Sequence, residues 1–383
     1  MRVKLKDAFD LQMGKTPSRN DRECWGEGHK WISISDIGSS GKYITATKEE
    51  ITDIGVSKSG IKVVPKGTVI MSFKLSIGKT AITAEDMYTN EAIMAFINKG
   101  KYEIDTDYLY HMCKGIDWFE GTNKAVLGLT LNKATMSEKE IEIPSMAEQL
   151  NVVAVLDKMD ELIALRKEQL AKLDQLIKSR FVELFGDPVS NPHGFPKVPL
   201  SELAEIKIGP FGSLLHKEDY IANGHALVNP SHIVAGKISV DDELTVSDEK
   251  FSELSAYHLQ IGDVVMGRRG EMGRCAVVQT EGLLCGTGSL LIRTKGDVTA
   301  DYLQKIISFP SFKKTIEDMA VGQTMPNLNV PIVSRFQIIK PPIEVQKAYY
   351  TFIEQTDKSK LAIQQSLDKL ELLKKSLMQE YFG

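Results

Sequence analysis

The sequence predicts an α+β protein in which two similar mixed α/β domains are separated by a long antiparallel two-helix coiled coil, as a pseudo-twofold internal repeat. Three observations predict it. The chain matches itself once at a period near half its length, each copy opens on a Gly-rich run with β-branched clusters, and each closes on about 40 residues of heptad-like apolar spacing.

The repeat is read residue by residue. At an offset of 195, Val3, Leu5, Gly14, Gly67, Val69, Met71, Gly78 and Ala81 match Val198, Leu200, Gly209, Gly262, Val264, Met266, Gly273 and Ala276. At 194, Asp107-Tyr108-Leu109 matches Asp301-Tyr302-Leu303, and Gly128 and Thr130 match Gly322 and Thr324. At 197, Pro144, Gln149, Asp160, Leu170, Leu173 and Phe185-Gly186 match Pro341, Gln346, Asp357, Leu367, Leu370 and Phe382-Gly383.

The elements follow in order. Residues 1–144 form the first mixed domain, where runs such as Val63-Val64 and Val69-Ile70-Met71, set off by Pro65 and Gly67, read as short strands between turns. Residues 145–186 form the first helix. Ser145 and Glu148 make a capping box behind Pro144, and Val152, Leu156, Met159, Ile163, Leu170, Leu173, Ile177 and Leu184 alternate at spacings of four and three, interrupted at Arg166. Gly186-Asp187-Pro188 stops it, and residues 187–197 are a Pro/Gly linker. Residues 198–340 repeat the mixed domain. Residues 341–383 repeat the helix through Tyr349, Ile353, Ile363, Leu367, Leu370 and Leu377, with Thr356, Lys360 and Lys374 as polar interruptions.

A lone helix with such a stripe would leave it in water, so each needs a partner. Because the linker is short, the second helix starts near where the first one stops, and pairing within the chain must be antiparallel; a homodimer also satisfies the pattern. About 40 residues at about 1.5 Å each make a rod of about 60 Å. Two unlike domains on such a spacer suit duplex DNA, with half-sites near one helical turn apart and within about 17 base pairs; unlike readers imply an asymmetric bipartite site.

Composition narrows the alternatives. The 383 residues are 42% hydrophobic and 26% charged with a formal net charge of -4, so attraction to a polyanion must come from local basic patches. The sequence has no apolar run long enough for a membrane span and no secretory signal pattern at its start. Cys24, Cys113, Cys275 and Cys285 lack paired spacing, which points to reduced thiols and a cytoplasmic location.

Several residues carry the resemblance to a known family: Gly14-Lys15-Thr16-Pro17, Val64-Pro65-Lys66-Gly67-Thr68-Val69, Val321-Gly322-Gln323-Thr324, Pro341-Pro342 with Gln346, and Phe185-Gly186-Asp187-Pro188. With the order domain, helix, domain, helix, the whole chain resembles the specificity subunits of type I restriction-modification systems. The resemblance implies two target recognition domains, each reading half of a split double-stranded DNA site. It implies helices on which two adenine methyltransferase subunits dock, with restriction/translocase subunits in the full complex. It implies no cofactor in this chain, with S-adenosylmethionine, ATP and Mg in the partner subunits, and no membrane. A departure lies where Thr130-Leu131-Asn132-Lys133 stands opposite Thr324-Met325-Pro326-Asn327.

The candidate DNA-binding residues are polar or basic and sit in Gly-rich loops. Arg268, Arg269 and Arg274 lie among three glycines, Gly267, Gly270 and Gly273, where backbone can approach phosphate and Arg can read guanine; a surface loop with Glu271 pairing one arginine is the alternative. Lys74 and Lys79 occupy the matching place in the first copy. Lys15, Thr16, Arg19 and Asn20, and Ser213 with Lys217, sit in early loops that read equally as plain turns. Gln323, Thr324 and Asn327, like Thr130 and Asn132, bring hydrogen-bonding side chains suited to base edges, though Asn is also common turn punctuation. Trp25, Trp31 and Trp118 are expected to pack rather than stack on bases.

Enzyme signatures fail in detail. Gly78-Lys79-Thr80 and Gly14-Lys15-Thr16 end like a P-loop, but the required earlier glycine is Phe73 in one and Phe9 in the other. Asn191-Pro192-His193-Gly194 reads as a turn rather than a methyltransferase motif, and the sequence contains no His-Glu-x-x-His pair. A stand-alone DNA-modifying or cleaving enzyme with an unrecognised active site, and a scaffold with no DNA role, are the competing readings.

Overall fold

The computed structural model describes residues 1–39, 41–74, 76–119, 131–320 and 327–383. The β-branched runs form the strands: β1 (Phe9–Met13), β2 (Tyr43–Ile44), β3 (Val69–Ser72), β4 (Thr80–Thr83) and β5 (Ile93–Asn98), then β6 (Ala204–Ile208), β7 (Val264–Gly267), β8 (Cys275–Val277) and β9 (Ser289–Thr294). They build a five-stranded sheet of order β1-β5-β3-β4-β2 and a four-stranded sheet of order β6-β9-β7-β8. All neighbours are antiparallel except β2 and β4.

The repeat extends to hydrogen-bond register. Val69 faces Phe96 and Met71 faces Met94 in the first sheet, as Val264 faces Ile292 and Met266 faces Leu290 in the second. A smaller sheet flanks each: Trp25–Ile32 lies between Glu49–Ile51 and Tyr88–Thr89, and His225–Val228 lies between Thr245–Val246 and Leu284–Cys285. Since side chains alternate across a strand, a one-residue slip would turn the apolar set outward, so equal register in both copies keeps both cores dry.

The chain divides into two compact units, one made of Met1–Gln169 with Ile363–Gly383, the other of Leu170–Ala362. Two helices of 40 residues, α1 (Met146–Phe185) and α2 (Ile343–Phe382), contribute to both. At the start of α1, Ser145 N and Oγ donate to Glu148 at 2.8 and 2.7 Å, and these bonds hold the Glu148 carboxyl below its ordinary pKa. At its end Gly186 takes φ 69°, a left-handed conformation that suits glycine, and Asp187 accepts from Val189 N and Ser190 N.

Within each unit a piece of α1 lies antiparallel to a piece of α2. In the first, Asp160 meets Lys374 and Lys167 meets Glu371; in the second, Lys360 reaches Asp174 at 2.6 Å and Tyr349 donates to Ile177 O at 3.2 Å. The helices therefore pair within one chain, as connectivity predicts. Two of the polar interruptions in the stripe, Lys360 and Lys374, supply two of the three cations in these pairs.

In the first unit Leu11, Val69, Met71, Ile82 and Phe96 pack with Tyr108, Leu109, Met112, Val152 and Leu156. In the second, Phe181, Phe185, Val264, Met266, Leu290, Ile292, Tyr302 and Tyr349 form the larger core. Buried glutamines dock the starts of the helices. Gln149 donates to Glu103 O and Pro144 O and accepts from Asp105 N, and Gln346 makes the same three bonds with Asp297 O, Pro341 O and Thr299 N.

One pairing read from the sequence needs correction. Asn132 caps Lys133–Glu138 through Thr135 N, and Asn329 caps Val330–Ser334 through Ile332 N. The equivalents are therefore Leu131-Asn132 and Leu328-Asn329, and the second copy is three residues longer just before them. The apparent departure opposite Thr324-Met325-Pro326-Asn327 is an insertion, because a helix start is fixed by its cap rather than by the preceding loop.

Candidate nucleic-acid interface

Antiparallel pairing decides which loops share an end of each sheet. In the second unit Ile208 and Met266 both face Leu290, and Gly267 faces Ser289, so the loops after β6 and β7 leave beside the start of β9. Gly209 N donates to Ser289 O at 3.1 Å and Arg268 N to Gly288 O at 3.0 Å. A Cβ at Gly209 would lie 2.0 Å from Gly286 O, so only glycine allows this approach. The first unit repeats the arrangement: Met13 faces Met94, Ser72 faces Ile93, and a Cβ at Gly14 would lie 2.0 Å from Thr89 O. The candidate loops thus leave one end of each sheet.

Arg268 is half-buried and donates from Nε to Asn327 Oδ1 at 3.1 Å, while Leu328 N donates to its carbonyl at 2.9 Å. Burial, then the charge of Arg269, lowers the Arg268 pKa. Arg269 is exposed, and its side chain has no partner among the described residues. Arg274 is tethered: Nη2 and Nε donate to Glu271 Oε2 at 2.8 and 3.2 Å and Nη1 to Pro230 O at 3.1 Å. Glu271 also accepts from Lys313 at 2.8 Å, and these cations hold its carboxyl below the ordinary range. Ser213 and Lys217 are exposed in adjacent single-turn helices, Gly212–Leu214 and Lys217–Asp219.

The first unit uses its polar groups differently. Lys15 Nζ donates to Ser59 O and Gly60 O at 3.2 and 3.3 Å, and Thr16 Oγ1 donates to Glu91. The Arg19 fork grips both oxygens of Glu49 at 2.5 and 3.0 Å, with its central carbon 3.9 Å from the Trp25 ring centroid. Asn20, Lys74 and Lys79 are exposed, the Lys74 ammonium 5.3 Å from the Phe73 ring. Asn132 accepts from Thr135 N, so its carbonyl is engaged as a cap. Thr130, Gln323 and Thr324 lie outside the described residues.

Sequence reading missed the carboxylates that engage Arg19 and Thr16, Glu49 and Glu91, because pairing across a fold leaves no local spacing. The Asn132 cap was visible as Asn followed three residues later by Thr135. The tryptophans pack as expected: Trp31 and Trp118 are buried, and Trp25 meets Trp31 edge-on at 5.0 Å. The four cysteines are buried free thiols, and burial pushes the Cys275 thiol up to about 12. Asn191 holds its turn through bonds to Phe195 O and Phe195 N at 2.7 and 3.0 Å. Among the described residues no helix is long and apolar enough to cross a membrane, and no group of His, Cys, Asp and Glu could hold a metal ion.

Comparison with known proteins supplies the remaining observations. The family model of the type I restriction modification DNA specificity domain matches residues 1–175 and again 192–373. The chain is 25% identical over 378 residues to the type I restriction enzyme MjaIX specificity subunit of Methanocaldococcus jannaschii, covering 92% of this chain and 85% of that protein. It is 21% identical over 396 residues to the MjaVIII specificity subunit of the same organism, covering 98% and 90%. In fold it is similar to the S subunit of a type I restriction-modification system from M. genitalium, with a TM-score of 0.52 at 14% identity over 100% of this chain and 96% of that one. A chain from a structural study of assembly and conformational transition in the type I R-M system gives a TM-score of 0.69 at 17% identity, covering 100% and 97%.

Proposed function

Because the chain belongs to the type I restriction-modification DNA specificity family and is a non-catalytic specificity subunit, we propose that each of its two domains reads one half of an asymmetric bipartite DNA site. The recognition domains would be residues 1–144 and 198–340, with spacer helices at 145–186 and 341–383 and a linker at 187–197. One observation carries this reading: equivalent ends of two sheets in the same register bear loops of unlike chemistry. Arg268 and Arg269 stand at one, and Lys74 and Lys79 with a carboxylate-bound Arg19 at the other. A common frame with different side chains suits two readers of different sequences. Lys15, Thr16, Asn20, Thr130, Asn132, Ser213, Lys217, Arg274, Gln323, Thr324 and Asn327 complete the proposed contact set.

DNA, methyltransferase and restriction subunits are the partners of this class of protein. We take the stoichiometry to be two adenine methyltransferase subunits, docked along α1 and α2, where Leu165, Leu176, Leu361, Leu372 and Leu373 remain exposed. S-adenosylmethionine, ATP and Mg would reside in the partners, and base flipping would be the work of the methyltransferases in the cytoplasm.

Genome-wide adenine methylation with and without the gene tests the reading. A split, asymmetric motif that vanishes on deletion supports it; an unchanged methylome refutes it. Replacing Arg268, Arg269 and Arg274 together should abolish methylation dependent on one half-site while assembly with partners persists. Turnover of plasmid DNA by the purified chain alone would instead favour a stand-alone enzyme.

A further inference from the structure

In the loop after β6, the ring of Phe211 is 60% exposed, and Leu214 beside it is 43% exposed. Phe211 and Leu214 thus put two large apolar side chains on the water-facing side of a candidate contact loop, and exposed apolar surface rimmed by polar residues is the kind that marks an interaction site. The backbone that carries it is anchored on both sides. Gly209 is pressed against Gly286 O, Pro210 is buried, Gly212 takes φ 64°, and Leu214 N reaches back to Phe211 O at 3.4 Å. The ring is therefore presented on a short braced turn rather than a floppy tip.

Its neighbours state the chemistry of that partner. The turn leaves the sheet end from which Arg268 and Arg269 also emerge, and Lys217 follows it. Cations around an exposed apolar ring match a phosphate backbone flanking a base stack. We infer that Phe211 wedges into the base stack of the half-site read by the second domain and unstacks one base step there, with Leu214 against the displaced base. The inference rests on the proposal that these loops face DNA. The internal repeat places Thr16, hydrogen-bonded to Glu91, where the second copy has Phe211, so the first domain has no apolar ring at that position. The distortion would be confined to one half of the site.

The test uses the full chain assembled with its methyltransferase subunits on its own bipartite duplex. 2-Aminopurine is placed in turn at non-target adenines of each half and at the base pairs flanking them. A several-fold fluorescence rise is expected at a step in the second half and none in the first. Phe211→Ala should abolish that rise and weaken duplex binding by about 5-fold or more, the range found when a base-stacking aromatic is truncated, whereas Phe211→Trp should keep the unstacking. Phe211→Ala with unstacking and affinity intact, while Arg268→Ala with Arg269→Ala loses the second half, would overturn the wedge and leave the loop assignment standing. If the arginine pair also changes nothing, the loop assignment fails and the wedge with it. Impaired assembly of Phe211→Ala with methyltransferase subunits in the absence of DNA would mark the ring as a protein contact and likewise overturn it.

Discussion

The ring of Phe185 meets that of Tyr302 edge-on at 5.0 Å between centroids, and Phe382 meets Tyr108 in the same way at 5.5 Å. Each long helix thus ends by packing on a domain from the other half of the chain. Phe185 is fully buried and also touches Phe181 and Tyr349, whereas Phe382 is half-exposed. Phe185→Ala should cost about 3–5 kcal/mol and Phe382→Ala clearly less, read from urea unfolding midpoints. Equal losses would contradict the unequal burial.

Gln149 and Gln346 each join three backbone groups at the foot of a long helix. Replacing either by Ala leaves buried donors and acceptors without partners and should destabilise by about 1–3 kcal/mol. Chemical denaturation of the single variants checks this, and Gln346→Leu, which preserves bulk, should rescue little.

His111 is buried in the first unit, with Nε2 at 2.7 Å from Asp157 Oδ1 on α1. Burial lowers its pKa, outweighing the hydrogen bond and charge of Asp157; Lys42 adds to the lowering and Asp160 opposes it. Above the free histidine range, about 6.5, the ring is neutral folded or unfolded and its stabilisation is complete. As pH falls below that range, the unfolded chain takes up a proton that the folded chain resists, so stability is lost toward the folded pKa. His111→Gln should flatten the fall in stability as pH drops below about 6.5. An unchanged slope would remove His111 from the titration.

Arg269 and Arg274 should separate in salt dependence. Arg269 stands free of partners among the described residues, so Arg269→Ala should reduce the slope of log K against log salt by about one, as for a lost phosphate contact. Arg274→Ala removes the clamp on Glu271 and Pro230 O, and should lower loop stability and half-site discrimination with a smaller change in slope. Fluorescence anisotropy of the assembled complex across a salt series measures both.

Asn327 orients the Arg268 guanidinium from one side. Asn327→Ala should weaken specific binding by about 0.5–1.5 kcal/mol while leaving non-specific duplex binding almost intact. A competition assay with scrambled half-sites reads the difference.

The long helices, their antiparallel sense and the repeat of the strand segments were legible because they rest on periodicity, short connections and local caps, which any stretch of sequence displays. Ser145 with Glu148 and Gly186 with Asp187 mark ends of the helix that are visible without a fold. The state of each candidate side chain was not legible. Arg19 looks as available as Arg269 in sequence, yet one is gripped by Glu49 and the other is not. Asn132 reads in sequence as a base-contacting amide or as turn punctuation, and the structure uses its carbonyl as a helix cap.

Backbone pattern, then, specifies the repeat and its two kinds of element, since hydrophobic spacing and turn chemistry act within a few residues. Which cations stay unpaired, which helix end enters which core, and which loops emerge together at a sheet end depend on residues such as Glu49, Glu271 and Tyr302. These meet their partners only once strands distant in the chain are paired. Electrostatic neutralisation and burial are properties of neighbours in space, and a linear order of residues does not contain them.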